Sequence, residues 1–424
     1  MQTLQVIVIL AIFLAGVALM MTKKMPAILA LPCMGILIAV VAGVPFISSD
    51  AETQSITSYV IAGGASRLAS TIIVTVFGAI FAKVIQKEGI SDAIIRKAAE
   101  LPTAVQCAAR AALRAAALIF TAMSGAGPVI MVAQIAIPLL LSAGIEPIVA
   151  ASLVLFGLNI GLLFNVSQYQ IYVDTIGMDM EVIKTSSIVM GLICVVVTVA
   201  YILINVNKKT VRSTWAMNAG TNSKKVNPVA MLMPLLPIVL VFFFKWNAET
   251  SLVVAIIVTA LITNPSSSIQ VLSSSMVEGI KDVAGVIGLM IGIGILLNGV
   301  AAQKTSALMQ PIISVILPSN PIMYIVIFTV LSPLALYRGP LNMYGLGSGL
   351  ANIFLTAGKL SAPAVGMALR STSVVQCVSD PTNTQNVIVA DYAKVDVNDI
   401  LKSTLPYTMV MALGILIYAA VALF

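Results

Sequence analysis

The sequence predicts an all-α integral membrane protein of about ten transmembrane helices plus two re-entrant helical hairpins, arranged as two inverted-topology repeats with broken helices. Three observations carry this. The 424-residue chain is 59% hydrophobic and 9% charged, with mean hydropathy +1.06; that lies outside the soluble range and leaves room for roughly ten spans of about 20 residues. Two polar runs, 164–170 and 378–386, interrupt the apolar sequence. Neither can be lipid-facing helix, because each freed backbone group in hydrocarbon costs several kcal/mol unless protein, water or a ligand satisfies it. Each run also follows a Gly-Pro interruption, Gly127-Pro128 and Gly339-Pro340, and paired interruptions in two halves of a chain point to an internal duplication.

In order, residues 4–21 and 27–46 read as two spans joined by a basic turn at Lys23 and Lys24. No basic residue precedes the first, so it reads as a retained span rather than a cleaved signal. The positive-inside rule puts the turn in the cytoplasm and the N-terminus outside. Residues 48–58, with Asp50 and Glu52, suit an external loop, and a span over 61–85 returns to a segment carrying Lys83, Lys87, Arg96 and Lys97.

The stretch 104–122 is apolar apart from Arg110 and Arg114, then comes the Gly-rich tip at Ser124, Gly125 and Gly127, then 129–141. That second arm covers about 20 Å at 1.5 Å per residue, too short for a core of about 30 Å. A re-entrant hairpin over about 104–143 follows. Next is a broken helix over about 147–176, interrupted at Asn165, Ser167, Gln168 and Gln170, its second half carrying Tyr172 and Asp174. Asp179 and Glu181 suit an external loop, and 183–206 closes the first repeat, 1–206. The linker 207–228 holds Lys208, Lys209, Arg212, Lys224 and Lys225 and no acid, which makes it cytoplasmic.

The second repeat, 229–424, runs through spans at 229–244 and 252–262, a Ser-rich link, and a span at 283–302 whose Gly285, Gly288, Gly292 and Gly294 suit close helix packing. A hairpin over about 322–358 has its tip at 337–342. A broken helix follows over about 361–391, then a last span at 404–424. A shift of 212 positions lays Gly127-Pro128 on Gly339-Pro340 and Ser167 on Ser379. Each half makes an odd number of crossings, so the halves are inverted and both termini lie outside.

Composition excludes several chemistries. Histidine is absent, and Cys33, Cys107, Cys194 and Cys377 stand alone in or beside apolar runs, so neither a zinc site nor a haem ligand pair is expected. No phosphate-binding Gly-x-x-x-x-Gly-Lys motif is present, which argues against a pump driven by its own nucleotide site. No cofactor and no enzyme activity are expected. The net charge of +7 sits mainly in loops and is topological, so nucleic acid is not an expected partner.

What remains is binding chemistry at mid-membrane. Half-helix N-termini attract anions, and backbone N–H groups at Gly125, Gly127 and Gly339, with polar side chains of Ser124, Asn165, Ser167, Gln168, Gln170, Asn342, Thr382, Asn383 and Gln385, suit a carboxylated or hydroxylated substrate. Arg338 at a tip and Arg370 within a half-helix are costly in a membrane and mark a pathway or a pair. Ser379, Asp380 and Thr384 offer hard oxygen ligands for a small cation such as Na+, with Asp380 the coupling carboxylate. A proton carried on a buried carboxylate is the other option.

This order of short hairpin, broken helix and repeat resembles the ion transporter superfamily of secondary carriers, and the run Met20-Met21-Thr22-Lys23-Lys24-Met25-Pro26 after a first span is similar to its citrate and gluconate branches. The resemblance covers nearly the whole chain at the level of layout. It implies cation-coupled (Na+ or H+) symport of an organic anion, such as a di- or tricarboxylate or a sugar acid, across the cell inner (plasma) membrane, and a homodimer. Sodium-coupled members carry Ser-Asn-Thr at a hairpin tip, where this chain has Ser124-Gly125-Ala126 and Arg338-Gly339-Pro340. The alternative on the same layout is an antiporter or efflux carrier for an oxyanion or for Na+/H+ exchange. The topology is checked by labelling: a thiol introduced by Asn218→Cys should react with a membrane-impermeant reagent only from the cytoplasmic side, and reaction from outside would overturn the orientation.

Overall fold

Lipid offers the backbone no water to bond, so long apolar runs fold as helices that satisfy their own N–H and C=O groups. The computed structural model describes residues 2–22, 24–48, 53–99, 105–206, 226–316, 318, 320–344 and 346–424, and among these no strand occurs. The first half comprises α1 (Gln2–Met21), α2 (Ala27–Val41), α3 (Ile56–Lys87), α4 (Ile90–Ala99), α5 (Val105–Phe120), α6 (Ala126–Ser142), α7 (Pro147–Leu162), α8 (Gln170–Ile176) and α9 (Met180–Asn205). The second comprises α10 (Ala230–Phe243), α11 (Ala248–Thr263), α12 (Ser268–Ala301), α13 (Gln303–Ile316), α14 (Pro321–Leu331), α15 (Leu346–Thr356), α16 (Ala362–Ser379), α17 (Thr384–Ala393) and α18 (Val397–Ala422). Lys23, Asp50, Glu52 and most of the 207–228 linker lie outside the described residues.

Among the described residues α3, α9, α12 and α18 are long and apolar enough to cross a membrane alone, and the pair α7 and α8, bent by 72° at its break, makes a fifth. The sequence predicts about ten crossings; the difference lies in shorter apolar helices of 10–17 residues, which reach only about 15–25 Å at 1.5 Å per residue. Proline accounts for one of them. Pro234 and Pro237 lie in α10, whose first part, Ala230–Leu235, is a 3₁₀ helix, because proline removes a donor and clashes with the preceding turn.

The helix order is the same in both halves, and the ends of matching helices agree. Asp179 caps α9 through the N–H of Glu181 and Asp396 caps α18 through the N–H of Asn398, each at 2.7 Å; the Asn398 bond also holds the Asp396 carboxyl below its usual range. Both preceding short helices end on a left-handed residue, Gly177 and Lys394. This register is 217 positions, not the 212 that the sequence pattern suggests. Gly127 lies in the first turn of α6, whereas Gly339 ends the irregular segment Ser332–Arg338, which holds Pro333 and the left-handed Tyr337, and stands well before α15. Ser167 follows its break while Ser379 precedes its own, so that pairing does not hold.

Two packed groups frame the centre. In one, α12 lies along α2 and α3. Backbones touch there: a Cβ on Gly294 would meet Gly64 O at 2.0 Å, and one on Gly299 would meet Gly35 O at 2.2 Å. Arg67 donates to Asn298 Oδ1 at 2.7 Å, and Asn298 donates to Tyr59 O at 2.7 Å, at the same end. In the other group α16 packs on α18, α5 on α7, and α9 on α18. Tyr201 and Ser403 share a bond of 2.9 Å, and Asn205 donates to the Tyr407 hydroxyl at 3.1 Å. The sequence-predicted span at 283–302 is the second half of α12, which begins at Ser268. Gly288 and Gly292 pack on Ile28 and Pro32, whereas Gly285 faces open space. Gly294→Ala should therefore cost about 1–3 kcal/mol by overpacking, read as a lower melting temperature in detergent, while Gly285→Ala should leave melting unchanged or raise it.

Candidate functional site

A cavity of about 640 Å³ lies between the two groups. Its polar wall comes from the first tip (Ser124, Gly125), the first break (Ser167, Gln168), the second tip (Asn342, Tyr344), α16 (Arg370, Ser373, Gln376) and the second break (Asp380, Asn383, Thr384, Gln385). Its opposite wall, from α3 and α12, is largely apolar: Ala79, Ala82, Val283, Val286, Leu289 and Met290. On α3 the lining runs from Thr75 to Gln86 and on α12 from Met290 to Asp282. Lys83 and Asp282 pair across this wall at 2.8 Å, and Lys87 pairs with Glu278 at 2.7 Å beyond it. The other ends of these helices are the glycine-packed ends.

The second break is organised by Asp380, which is 1% exposed. Its Oδ1 accepts from the backbone N–H of Tyr337 at 3.0 Å, the N–H of Thr382 at 2.9 Å and the Thr382 hydroxyl at 2.7 Å. One oxygen thus joins the second hairpin to the broken helix. Its Oδ2 is buried with no hydrogen-bond partner. Asn386, also 1% exposed, donates to Val378 O at 2.9 Å, and its Oδ1 is likewise buried and unpartnered. These two acceptors at and just after the break are open to a donor or a cation, and a buried acceptor left unsatisfied costs about 1–3 kcal/mol and more when charged.

Arg370, 4% exposed, is held by α9. Nη1 donates to Ile183 O at 3.2 Å and to the Ser186 hydroxyl, Nη2 donates to the Ser187 hydroxyl at 2.6 Å, and the guanidinium lies 5.6 Å from the centre of the Tyr172 ring. No carboxylate pairs with it among the described residues. A guanidinium in this setting keeps its charge, so the cavity wall carries an uncompensated cation.

Of the sequence-predicted residues, Ser124, Gly125, Ser167, Gln168, Asn342, Asp380, Asn383, Thr384 and Gln385 meet at this cavity. Gly125 has φ +96 with open space around its missing Cβ, so glycine is required there by backbone conformation. Gln168 accepts a hydrogen bond from the Tyr344 hydroxyl, which links the first break to the second tip. Six others are structural or stand apart. Asn165 donates to Phe120 O at 3.1 Å and Met123 O at 3.4 Å and accepts from the Ser167 N–H at 3.0 Å, clamping the first tip to its break. Gln170 donates to Asp174 at 2.8 Å. Thr382 is spent on Asp380. Gly127 lies in the first turn of α6. Gly339 is required because a Cβ would meet Leu334 O at 2.0 Å. Ser379 turns to α18, bonding the hydroxyls of Thr404 at 2.8 Å and Thr408 at 3.0 Å. The side chain of Arg338 lies outside the described residues.

Asp174 accepts from the Thr71 N–H at 3.0 Å and hydroxyl at 2.8 Å, capping the part of α3 that restarts after Leu68. Asp391, its counterpart in the 217 register, is exposed and pairs with Lys394 at 3.0 Å. Lining residues that sequence reasoning missed include Asn159, Tyr344, Ser373 and Gln376. Asn159 had a signal: it is the one amide inside the apolar run of α7, and polar residues within spans mark sites.

No family model matches the chain, and no curated protein matches it in sequence. Among solved structures it is similar to the YdaH transporter of Alcanivorax borkumensis, described as having an unusual topology: TM-score 0.64 and 13% identity over 93% of this chain and 97% of that one. It is also similar to Neisseria gonorrhoeae MtrF, described as illuminating a class of antimetabolite efflux pumps: TM-score 0.58 and 12% identity over 94% and 95%. The chain has a transporter fold. With its apolar helices this makes it a multi-pass membrane protein, and these structural neighbours are transporters rather than enzymes.

Proposed function

We propose that the protein is a secondary active transporter that moves a small organic anion together with a cation, Na+ or H+, by alternating access across the inner (plasma) membrane. The observation that carries this is the pairing of opposite needs in one cavity: a buried Arg370 guanidinium without a carboxylate and a buried Asp380 carboxylate with an unpartnered oxygen. An unpaired buried charge is strongly unfavourable, so an anion at Arg370 and a cation at Asp380 each relieve a cost. The cation is taken up at Asp380 Oδ2, with Thr384 also on the cavity wall; Ser379, bonded to Thr404 and Thr408, is not needed for it.

The repeated helix order supports two inverted repeats, with α5/α6 and α14/α15 as re-entrant hairpins and both termini outside. The division of the cavity into a polar wall on hairpins and broken helices and an apolar wall on α3 and α12 supports an elevator: the polar group carries the ligands along a wall that makes few specific bonds to them. The cavity extends toward the Lys83 and Lys87 ends of α3, which the positive-inside rule assigns to the cytoplasm, so this conformation faces inward. Asp174 on Thr71 then helps to close the outer side. A homodimer through the α1–α3 and α10–α12 group is compatible with this motion.

A second reading is export or exchange, favoured by the similarity to MtrF, whose class is described as efflux pumps. The direction of coupling separates the two. Proteoliposomes offered labelled gluconate, citrate, succinate and lactate should accumulate one of them under an inward Na+ or proton gradient, and Asp380→Asn should abolish the gradient dependence. No uptake under either inward gradient, with loss from preloaded vesicles instead, would favour export.

A further inference from the structure

Resting on the transport reading above and naming the contact that shuts the cavity, we infer that α17 docks on the cavity-lining stretch of α12, residues 282–290, when the protein closes toward the cytoplasm, with Asp391 received by Lys83.

The first half shows such a dock already made. There α8 packs on α3. Ser167 lies against Gly78, where an added Cβ would meet the Ser167 Cβ at 3.2 Å, and Asp174 accepts from the N–H and hydroxyl of Thr71. Gln170 donates to the other Asp174 oxygen at 2.8 Å. One face, made by Ser167, Gln170 and Asp174, is thus turned to α3 and covers it from Thr71 to Gly78.

The register of 217 positions that aligns the caps Asp179 and Asp396 lays these three residues on Thr384, Val387 and Asp391. Their spacing puts them on one face of α17. That face is open: Thr384 is exposed on the cavity wall, Val387 is 48% exposed and the Asp391 side chain 76% exposed, bonded to Lys394 at 3.0 Å. The other side of α17, with Asn386, Val389, Ala390 and Ala393, is buried where the helix packs on α6 and α7.

Across the cavity from the open face stands α12, whose Asp282, Val283, Val286, Leu289 and Met290 line the far wall. Matching the end of α3 to the end of α12, a shift of 214 positions, lays Thr71 on Gly285, inside that stretch. Closing the cavity brings these two walls together, so the open face of α17 finds on α12 what α8 already has on α3.

The two docks offer a carboxylate different donors. The restart of α3 after Leu68 presents the Thr71 N–H, whereas α12 is unbroken from Ser268 to Ala301 and spends its amide groups within the helix. A carboxylate enclosed against α12 needs another donor, because a buried charge left unpaired is strongly unfavourable. Lys83 stands beside this stretch, 2.8 Å from Asp282, and an ammonium has three donors, so it serves Asp391 as well. The outer contact is a helix cap and the inner one an ion pair.

The test uses the full-length protein in proteoliposomes, with cross-links assigned by peptide mass spectrometry. On the wild-type chain a carbodiimide, which joins a touching ammonium and carboxylate, should give a Lys83–Asp391 link beside the Lys83–Asp282 and Lys394–Asp391 links of the present conformation. In a chain carrying Thr71→Cys, Asp174→Cys, Val283→Cys and Asp391→Cys, oxidation should join positions 71 and 174 in some molecules and 283 and 391 in others, never both in one. No Lys83–Asp391 link on the wild-type chain, no 283–391 disulfide where the 71–174 disulfide forms, or both disulfides in one molecule would each overturn the inference. The wild-type arm stands even if the variant fails to fold. Gradient-driven uptake of labelled gluconate, citrate, succinate or lactate without the inner links would sink this inference and preserve the transport reading; alternating links without gradient-driven movement of any of the four would overturn that reading instead.

Discussion

A carboxylate placed where a helix ends inside a membrane protein must find its donors in the chain itself, and Asp380 does so with one oxygen only. Its Oδ1 collects the N–H of Tyr337, the N–H of Thr382 and the Thr382 hydroxyl, which ties the left-handed turn of the second tip to the second break. Much else at the centre depends on this junction. Asn383 can then start α17 as its cap, and the polar side chains of both elements are held on one cavity wall. The same arrangement leaves Oδ2 without a partner, so the group that builds the break also leaves one acceptor open.

The first half solves the same backbone problem with a neutral residue. Asn165 satisfies two carbonyls of the first tip and caps the turn that follows it. Both halves therefore pin an interhelical turn to a helix break, but only the second does so with a charge, and Arg370 lies on the helix leading into that break. On the transport reading proposed above, this asymmetry would confine ion coupling to the second half of the chain. The opposite wall is made of α3 and α12, whose far ends interlock at glycine. Backbone contact that close leaves little freedom, which suits a fixed support against which a ligand-bearing group can move.

The breaks were legible because a polar run inside an apolar chain admits few structures: nine of the sixteen candidate residues line one cavity. Asp179, read from the sequence only as part of an external loop, instead caps α9, as Asp396 caps α18. What the sequence could not reveal depends on rotation about a helix or on distant partners. Ser379 is adjacent to Asp380 yet turns to Thr404 and Thr408. Arg370 finds its partners on α9, far away in sequence. The Ser-rich stretch before residue 283 reads as a link but is the first part of α12, where Ser268 and Ser274 return their hydroxyls to carbonyls of the preceding turn. The two Gly-Pro pairs matched in sequence without matching in position, since each proline shapes its own turn.

The central claim is that an anion and a cation stabilise each other in one cavity, and thermodynamic linkage tests it without any assumption about the direction of transport. The measurement is the affinity of the purified protein for the labelled anion that its proteoliposomes accumulate, by equilibrium dialysis, with Na+ replaced stepwise by choline at two pH values. The account predicts that Na+ or protons tighten binding about tenfold or more, and that the anion tightens cation binding by the same factor. An affinity that changes with neither would contradict it.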